Sequence, residues 1–228
     1  MKRAAISQSN YIPWKGYFDL IASVDVFVLY DDMQYTRRDW RNRNKIKTAK
    51  GLRWLTIPVQ SKGKYLQKVN ETLVDGNDWT RSHWNQLREN YKIAPHFEEI
   101  ETWLKPLYLT EEHAYLSGWN RLFIEKICQY LKIETEIKDS RELLLQGGKS
   151  ERLAHLCEQL NATEYVTGPA AKVYIEEKSF ADKGVEVSWF DYSAYPVYPQ
   201  LNGEFEHAVS VVDLLFNLGP QARDFMKY

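Results

Sequence analysis

Cysteine is nearly absent from the 228 residues: only Cys128 and Cys157 occur. Both fall in apolar helical patterns, "FIEKICQYL" and "RLAHLCEQL", with no CxxC spacing and no paired histidines nearby. A disulfide framework is excluded, and reduced, buried thiols in a cytoplasmic protein are expected. Neither context activates a thiol, which speaks against covalent cysteine chemistry. Long hydrophobic runs are missing too. No segment approaches the roughly 18 apolar residues of a membrane span. The apolar run in "MKRAAISQSN" is too short for a signal peptide. Excess charge of either sign is absent, because 30 basic and 31 acidic residues leave a formal net charge of −1. Near neutrality argues against nucleic-acid or anionic-membrane binding by the whole molecule, so any such role rests on a local patch. There is no internal repeat, no low-complexity stretch, no GxGxxG or Walker sequence and no GxSxG elbow.

What is present is an ordinary globular balance, 44% apolar and 27% charged, on a chain long enough to bury a sizeable core. Eight tryptophans and fifteen tyrosines are unusual. Rings with a polar edge suit wet, concave sites, and they also fill cores. Along the chain, "RAAISQ" reads as a strand, "YFDLIASV" as a helix and "DVFVLYDD" as a buried strand, which is the start of a βαβ unit. "LRWLTIPV" (52–59) reads as a third strand, and residues 66–75 as extended. From Asp78, a candidate N-cap, to about residue 130 the pattern is helical, punctuated by Pro95 and Pro106. Strands then alternate with helices again: "IETEIKDS", "SERLAHLCEQLN" with Ser150 as candidate cap, "EYVTG", "PAAKVYIEEKSFADKG" and "VEVSWFDY". A last helix follows in "VSVVDLLFNLG". The expectation is a single α/β domain with a Rossmann-like parallel sheet, and with residues 78–130 as a helical insertion or lid.

Ligands of open parallel sheets bind at the carboxyl ends of the strands. Gln8, Ser9 and Asn10 follow the first strand, Asp31, Asp32 and Gln34 the second, Gly168 the fifth, and Asp191 and Tyr192 the sixth. The loop around Trp14 can offer backbone N–H groups to an anion, or form a tight turn with Trp14 packed beneath. Asp31 and Asp32 suit Mg²⁺ ligation, a general base or sugar hydroxyls, and equally the capping of a turn. Behind them seven cations meet one acid, Asp39, within residues 36–50. Arginine forks bind phosphate, and Asn42, Arg43, Asn44 and Lys45 form a dense donor set that suits a diphosphate. A solvated loop and a single-stranded nucleic-acid site are the competing readings. His83 is a lone helical histidine. His207, Ser210 and Asp213 fall on one face if they share a helix, without the geometry of a triad.

The stretch "QSNYIPWKGYFDLIASVDVFVLYDDMQYTRRDWRNRNKIKT", followed by "WLTIPV", resembles the N-terminal signature of the WbqC-like proteins of bacteria. "NYKIAPHF", "EYVTGPAAKVYI" and the "VSVVDLLFNLG" block resemble that family's later segments. Many members carry His-Gln-Pro where this chain has Ser7, Gln8 and Ser9, so Gln8 and Asn10 are the shared elements. The family is associated with O-antigen and other surface-polysaccharide gene clusters. The resemblance therefore implies a nucleotide-activated sugar as ligand, with acyl or aminoacyl transfer to a sugar amine as the favoured chemistry and an acyl carrier protein as a conceivable donor. A non-catalytic binding or scaffolding role is the alternative. The expected catalytic set is Asp31, Asp32, His83 and His207. The expected binding set is Gln8, Asn10, Trp14, Gln34, Asn42 to Lys45, Gly168, Lys172 and Tyr174, with nucleic acid disfavoured as a partner.

Overall fold

The computed structural model describes residues 1–228. Five short parallel strands form one sheet: β1 (Arg3–Ser7), β2 (Val26–Leu29), β5 (Glu136–Asp139), β6 (Glu164–Thr167) and β7 (Glu186–Trp189). Their spatial order is β5-β2-β1-β6-β7, so the chain runs outward to one edge from the centre and then outward to the other. That is the Rossmann-like order, with a switch point between β1 and β6. Ala4 lies opposite Val26 and Ser7 opposite Leu29, a register that brings the carboxyl ends of β1 and β2 level.

The strand residues divide by parity. Ala5, Phe27 and Leu29 pack with α1 (Lys15–Ala22), α2 (Asp78–Tyr91), α3 (Phe97–Leu109), α4 (Leu116–Tyr130) and α7 (Val211–Leu218) in the larger core. Ala4, Ile6, Val26 and Val28 face α5 (Lys149–Gln159) and α6 (Glu177–Ala181), where they meet Leu156, Cys157 and Phe180. Both faces are covered, which explains why "VFVL" shows no polar alternation. Cys128 and Cys157 are free and buried, and burial pushes each thiol up to about 12. No helix is long and apolar enough to cross a membrane.

Several local expectations are corrected. Residues 52–59 do not join the parallel sheet. β3 (Arg43–Thr48) and β4 (Gly51–Thr56) form a separate antiparallel hairpin, with Lys45 opposite Trp54. Gly51, at φ +97°, closes its turn in a conformation that side chains disfavour. The part of the basic segment from Arg43 to Thr48 is therefore strand: Asn44 and Ile46 point inward and are buried, while Arg43 and Lys45 are only half-buried. Residues 66–75 hold a one-turn 3₁₀ helix (Val69–Glu71) and isolated bridges rather than a continuous strand. The 169–184 segment is a 3₁₀ turn and a short helix, not one long helix. Asp78 is the first residue of α2, after Asn77 as N-cap. Pro106 lies inside α3 rather than ending it. Ser150 does not cap α5. Its hydroxyl donates to the Tyr174 carbonyl at 3.1 Å, and Gly148 takes the N-cap position.

Phe27 is fully buried, with its ring centroid 5.4 Å from that of Tyr17. Phe27→Ala is expected to lower unfolding free energy by about 3–5 kcal/mol in denaturant titration, the usual range for a buried phenylalanine. A loss below about 1 kcal/mol would contradict this placement of the core.

Candidate functional site

The exit of β1 is locked from several sides. Asp31 accepts from the Ser9 backbone N–H at 2.8 Å and from the Ser9 hydroxyl at 2.7 Å. Asn120 of α4 reaches in to donate to Ser9 Oγ at 3.0 Å and to the Arg41 carbonyl at 2.9 Å. Asn44 of β3 donates to the carbonyls of Tyr11 (3.2 Å) and Ile12 (2.8 Å), and the Ser210 hydroxyl donates to Ile12 at 2.6 Å. The Arg41 guanidinium donates to Asn10 Oδ1. These bonds hold Ile12 at φ +36°, a left-handed conformation that a β-branched residue adopts only when its surroundings over-determine it. Two residues on, the Trp14 ring lies over Gly16, where a Cβ would come within 2.4 Å of it. Glycine at 16 is thus required by close approach, not by turn conformation.

This locked loop forms one wall of a cleft of about 280 Å³, lined by Asn10, Pro13, Trp14, Trp40, Asn44, His207 and Ala208. Trp14 is backed by Tyr192 and Tyr195 at centroid distances of 5.5 and 5.6 Å. Trp40 continues outward to Trp54 of the hairpin, 5.3 Å away. The Arg43 guanidinium lies 4.1 Å from the Trp54 centroid and Lys45 Nζ 5.2 Å from it. Trp40 and Trp54 are 41% and 39% exposed, so rings and cations form one accessible strip beside the cleft. Such a strip can stack a flat ring and hold phosphate oxygens at the same time. His207 is exposed, its ring edge-on to Phe205 at 4.5 Å, and partial burial, helped by the nearby Lys15 charge, lowers its pKa.

Four expected residues therefore meet in the cleft: Asn10, Trp14, Asn44 and His207. Arg43 and Lys45 flank it. The others do not share it. Gln8 is half-buried, and its carbonyl accepts from the Tyr17 hydroxyl at 3.0 Å. Asp31 is buried behind the loop; burial pushes its pKa up against the bonds from Ser9. Asp32 points elsewhere, to Lys68 at 3.3 Å and the Ser140 hydroxyl at 2.6 Å. The adjacent aspartates thus form no paired site, and no three acids, histidines or cysteines come together as metal ligands. Gln34 bonds the Tyr65 carbonyl, and Asn42 the Ile57 carbonyl, both at 2.8 Å. Gly168 lies against the Tyr192 ring, Lys172 over Trp189 at 5.3 Å, and the Tyr174 carbonyl accepts from Ser150.

His83 is buried among rings. Its Nδ1 is 2.9 Å from the Tyr11 hydroxyl, and burial lowers its pKa to about 4. Nor do His207, Ser210 and Asp213 share a helical face, because α7 begins only at Val211 and Ser210 is its N-cap. Asp213 is instead the centre of a buried network, accepting from Tyr91 and Tyr198 hydroxyls at 2.8 Å each. Sequence reasoning missed Lys15, whose Nζ donates to the carbonyls of Pro196 (3.1 Å) and Phe225 (2.9 Å) and whose pKa burial lowers to about 8. No motif signals it, since its partners are backbone atoms about 180 and 210 residues away.

The model of the WbqC-like protein family matches residues 8–225, and the chain belongs to that family. It is 57% identical over 228 residues to the Mycobacterium tuberculosis protein named "Uncharacterized protein Rv1507c", in an alignment covering 100% of this chain and 99% of the relative. No solved structure matches.

The buried His83 gives a pH signature. Its pKa is about 4 when folded, against an ordinary value of 6.5, so the unfolded chain takes up the proton first. The contribution is complete above pH 6.5 and is lost as pH falls toward 4. At low pH the loss reaches about 3 kcal/mol. Denaturant titrations between those limits should show His83→Gln with a flatter pH dependence than wild type. Parallel curves would contradict a neutral, buried His83.

Proposed function

We propose that the cleft binds a nucleotide-linked amino sugar and that the protein transfers an acyl or aminoacyl group to the sugar's amine, within bacterial surface-polysaccharide synthesis. The observation that carries this reading is the strip of Trp40, Trp54, Arg43 and Lys45 opening onto a cleft walled by Trp14. At about 280 Å³ the cleft is at the small end of ligand pockets. It suits one ring system, with the diphosphate lying outward over the hairpin cations. Arginine offers a planar fork to phosphate and keeps its stacking on Trp54 while doing so.

Of the expected catalytic residues, His207 alone combines a place in the cleft, exposure and a lowered pKa. Its role would be to take the proton from the sugar ammonium, leaving the amine free to attack the carbonyl of an acyl carrier's thioester. The amide C–N bond forms as the thioester C–S bond breaks, and the carrier leaves as its thiol with the proton that the imidazolium returns. Asp31 has both oxygens occupied by Ser9, and His83 is enclosed. Membership of the WbqC-like family supports the substrate class through that family's association with polysaccharide gene clusters. An acyl carrier protein fits as donor, and the cytoplasm as the compartment where such donors meet nucleotide sugars. Single-stranded nucleic acid would use the same rings and cations, and is the second reading.

Calorimetric titration with UDP- and dTDP-amino sugars tests the first reading. Arg43→Ala should weaken binding by about tenfold or more, since a charge-assisted contact contributes roughly 1.5–3 kcal/mol. Arg43→Lys should recover part of that, and Trp40→Ala should weaken binding without lowering the melting temperature. His207→Ala should keep binding and lose transfer. Equal affinities in all of these proteins, or stabilisation by single-stranded oligonucleotides alone, would reject the reading.

A further inference from the structure

The neutrality of the chain sums two unlike parts. Residues 36–68 hold eleven lysines and arginines against one acid, Asp39, and the remainder holds 19 basic against 30 acidic residues. A diphosphate over Arg43 and Lys45 uses only a fraction of that excess. The surplus gathers at the loop from Gln60 to Lys68. There Arg37, Arg38, Lys62 and Lys64 line an open groove of about 630 Å³, with Asp75 as its one acid. The ion pairs of this region are Arg41 with Asp39 at 3.9 Å and Lys68 with Asp32 at 3.3 Å; the four groove cations have no carboxylate partner.

The loop is held in shape. Arg37 donates to the Ser61 carbonyl at 2.7 Å, and Gln34 to the Tyr65 carbonyl at 2.8 Å. Lys64 N–H bonds the Ser61 carbonyl and Gln67 N–H the Lys64 carbonyl, each at 3.3 Å. Yet the loop presents two consecutive apolar side chains to water: Tyr65 is 82% exposed and Leu66 78%. Single exposed apolar residues are common, but here two adjacent ones sit on a tied loop directly after Lys62 and Lys64, which line the groove and have no carboxylate partner.

Each feature narrows the partner. The cations call for a dense anionic surface. Leu66 has no flat face, so it adds nothing to base stacking on a nucleic acid. A folded protein partner of ordinary affinity needs a broad patch of about 20–30 residues, whereas residues 62–66 form one narrow exposed tip. An apolar tip beside a lysine- and arginine-lined groove matches the boundary between lipid headgroups and acyl chains, where tyrosine and leucine insert and cations meet phosphate. We propose that this loop docks the protein reversibly on an anionic lipid bilayer. Tyr65 and Leu66 enter the interface, and headgroup phosphates lie in the groove between Arg37, Arg38, Lys62 and Lys64. The docking is independent of what the cleft binds.

Sedimentation of the full chain with vesicles tests this. Wild type should pellet with phosphatidylcholine vesicles containing about a third phosphatidylglycerol and stay in solution with phosphatidylcholine alone. Raising salt from about 0.05 M to about 0.5 M should release it, because the screening length shrinks several-fold. Tyr65→Ser/Leu66→Ser should cut partitioning by about tenfold or more, and Lys62→Glu/Lys64→Glu should abolish it, both with melting temperatures unchanged. The proposal is overturned if wild type stays in solution with the anionic vesicles. It is equally overturned if the Tyr65→Ser/Leu66→Ser protein pellets as well as wild type. A single-stranded RNA oligonucleotide that prevents pelleting of wild type while binding the Tyr65→Ser/Leu66→Ser protein just as tightly would assign the surface to nucleic acid instead.

Discussion

Asp31 gives both of its carboxylate oxygens to one residue, Ser9, and the geometry of the whole cleft follows from that pair of bonds. The carboxylate is buried, and charge-assisted bonds to a buried group contribute roughly 1.5–3 kcal/mol each. Without them the end of β2 would hold an uncompensated carboxylate, and the end of β1 would be free to move. With them, the chain leaves β1 in one direction, past Asn120 of α4 and into the reach of Asn44 and Ser210. The strained Ile12 is tolerated only because so many donors converge on its carbonyl and its neighbour's. Trp14 then takes its place against Gly16, Tyr192 and Tyr195.

The same bonds change where a ligand can sit. In dinucleotide-binding sheets of this strand order, an acid at the end of the second strand faces the crevice and holds ribose hydroxyls. Asp31 stands at that place in the topology but is closed off by Ser9. The cleft is displaced outward, between the β1 loop, the hairpin and the His207 segment. The hairpin therefore serves as a platform rather than as part of the sheet. Its outer face carries the exposed rings and cations, while its inner face, through Asn44, Ile46 and Leu55, belongs to the core. Position on the hairpin decides which cations are accessible. Lys47, for example, is buried and donates to Gln200 at 2.9 Å, so it ties the 200–206 segment down and is not part of the strip.

The parallel strands were legible because both faces of the sheet are covered, so "VFVL" and "EYVT" read as buried runs bounded by turns. The hairpin was not, because charge obscured its alternation. Arg43, Lys45 and Lys47 alternate with Asn44 and Ile46, a period-2 pattern whose inward positions include an amide rather than only apolar groups. The direction of Asp31 was hidden for a different reason. Neighbouring residues at a strand end point to opposite sides, and only the Ser9 partner decides which side becomes the interior. Asn10 was reached from its strand-end position, Trp14 from the loop before the first helix and Asn44 from the dense donor run, whereas His207 was singled out for a helical face shared with Ser210 and Asp213 that α7 does not provide. Asn42, one residue from Asn44, faces the Ile57 carbonyl instead. Lys15 and the Asp213 network stayed invisible because their partners come from the far end of the chain.

A crystal structure with a bound UDP-amino sugar tests the central claim most directly, since it shows which surface the ligand selects. The expected result places the diphosphate oxygens on Arg43 and Lys45, a ring against Trp14 or Trp40, and the sugar amine within hydrogen-bond reach of the His207 imidazole. A ligand seated instead at the β1–β6 switch point, beside Gly168 and Tyr192, with the hairpin strip empty, would contradict it.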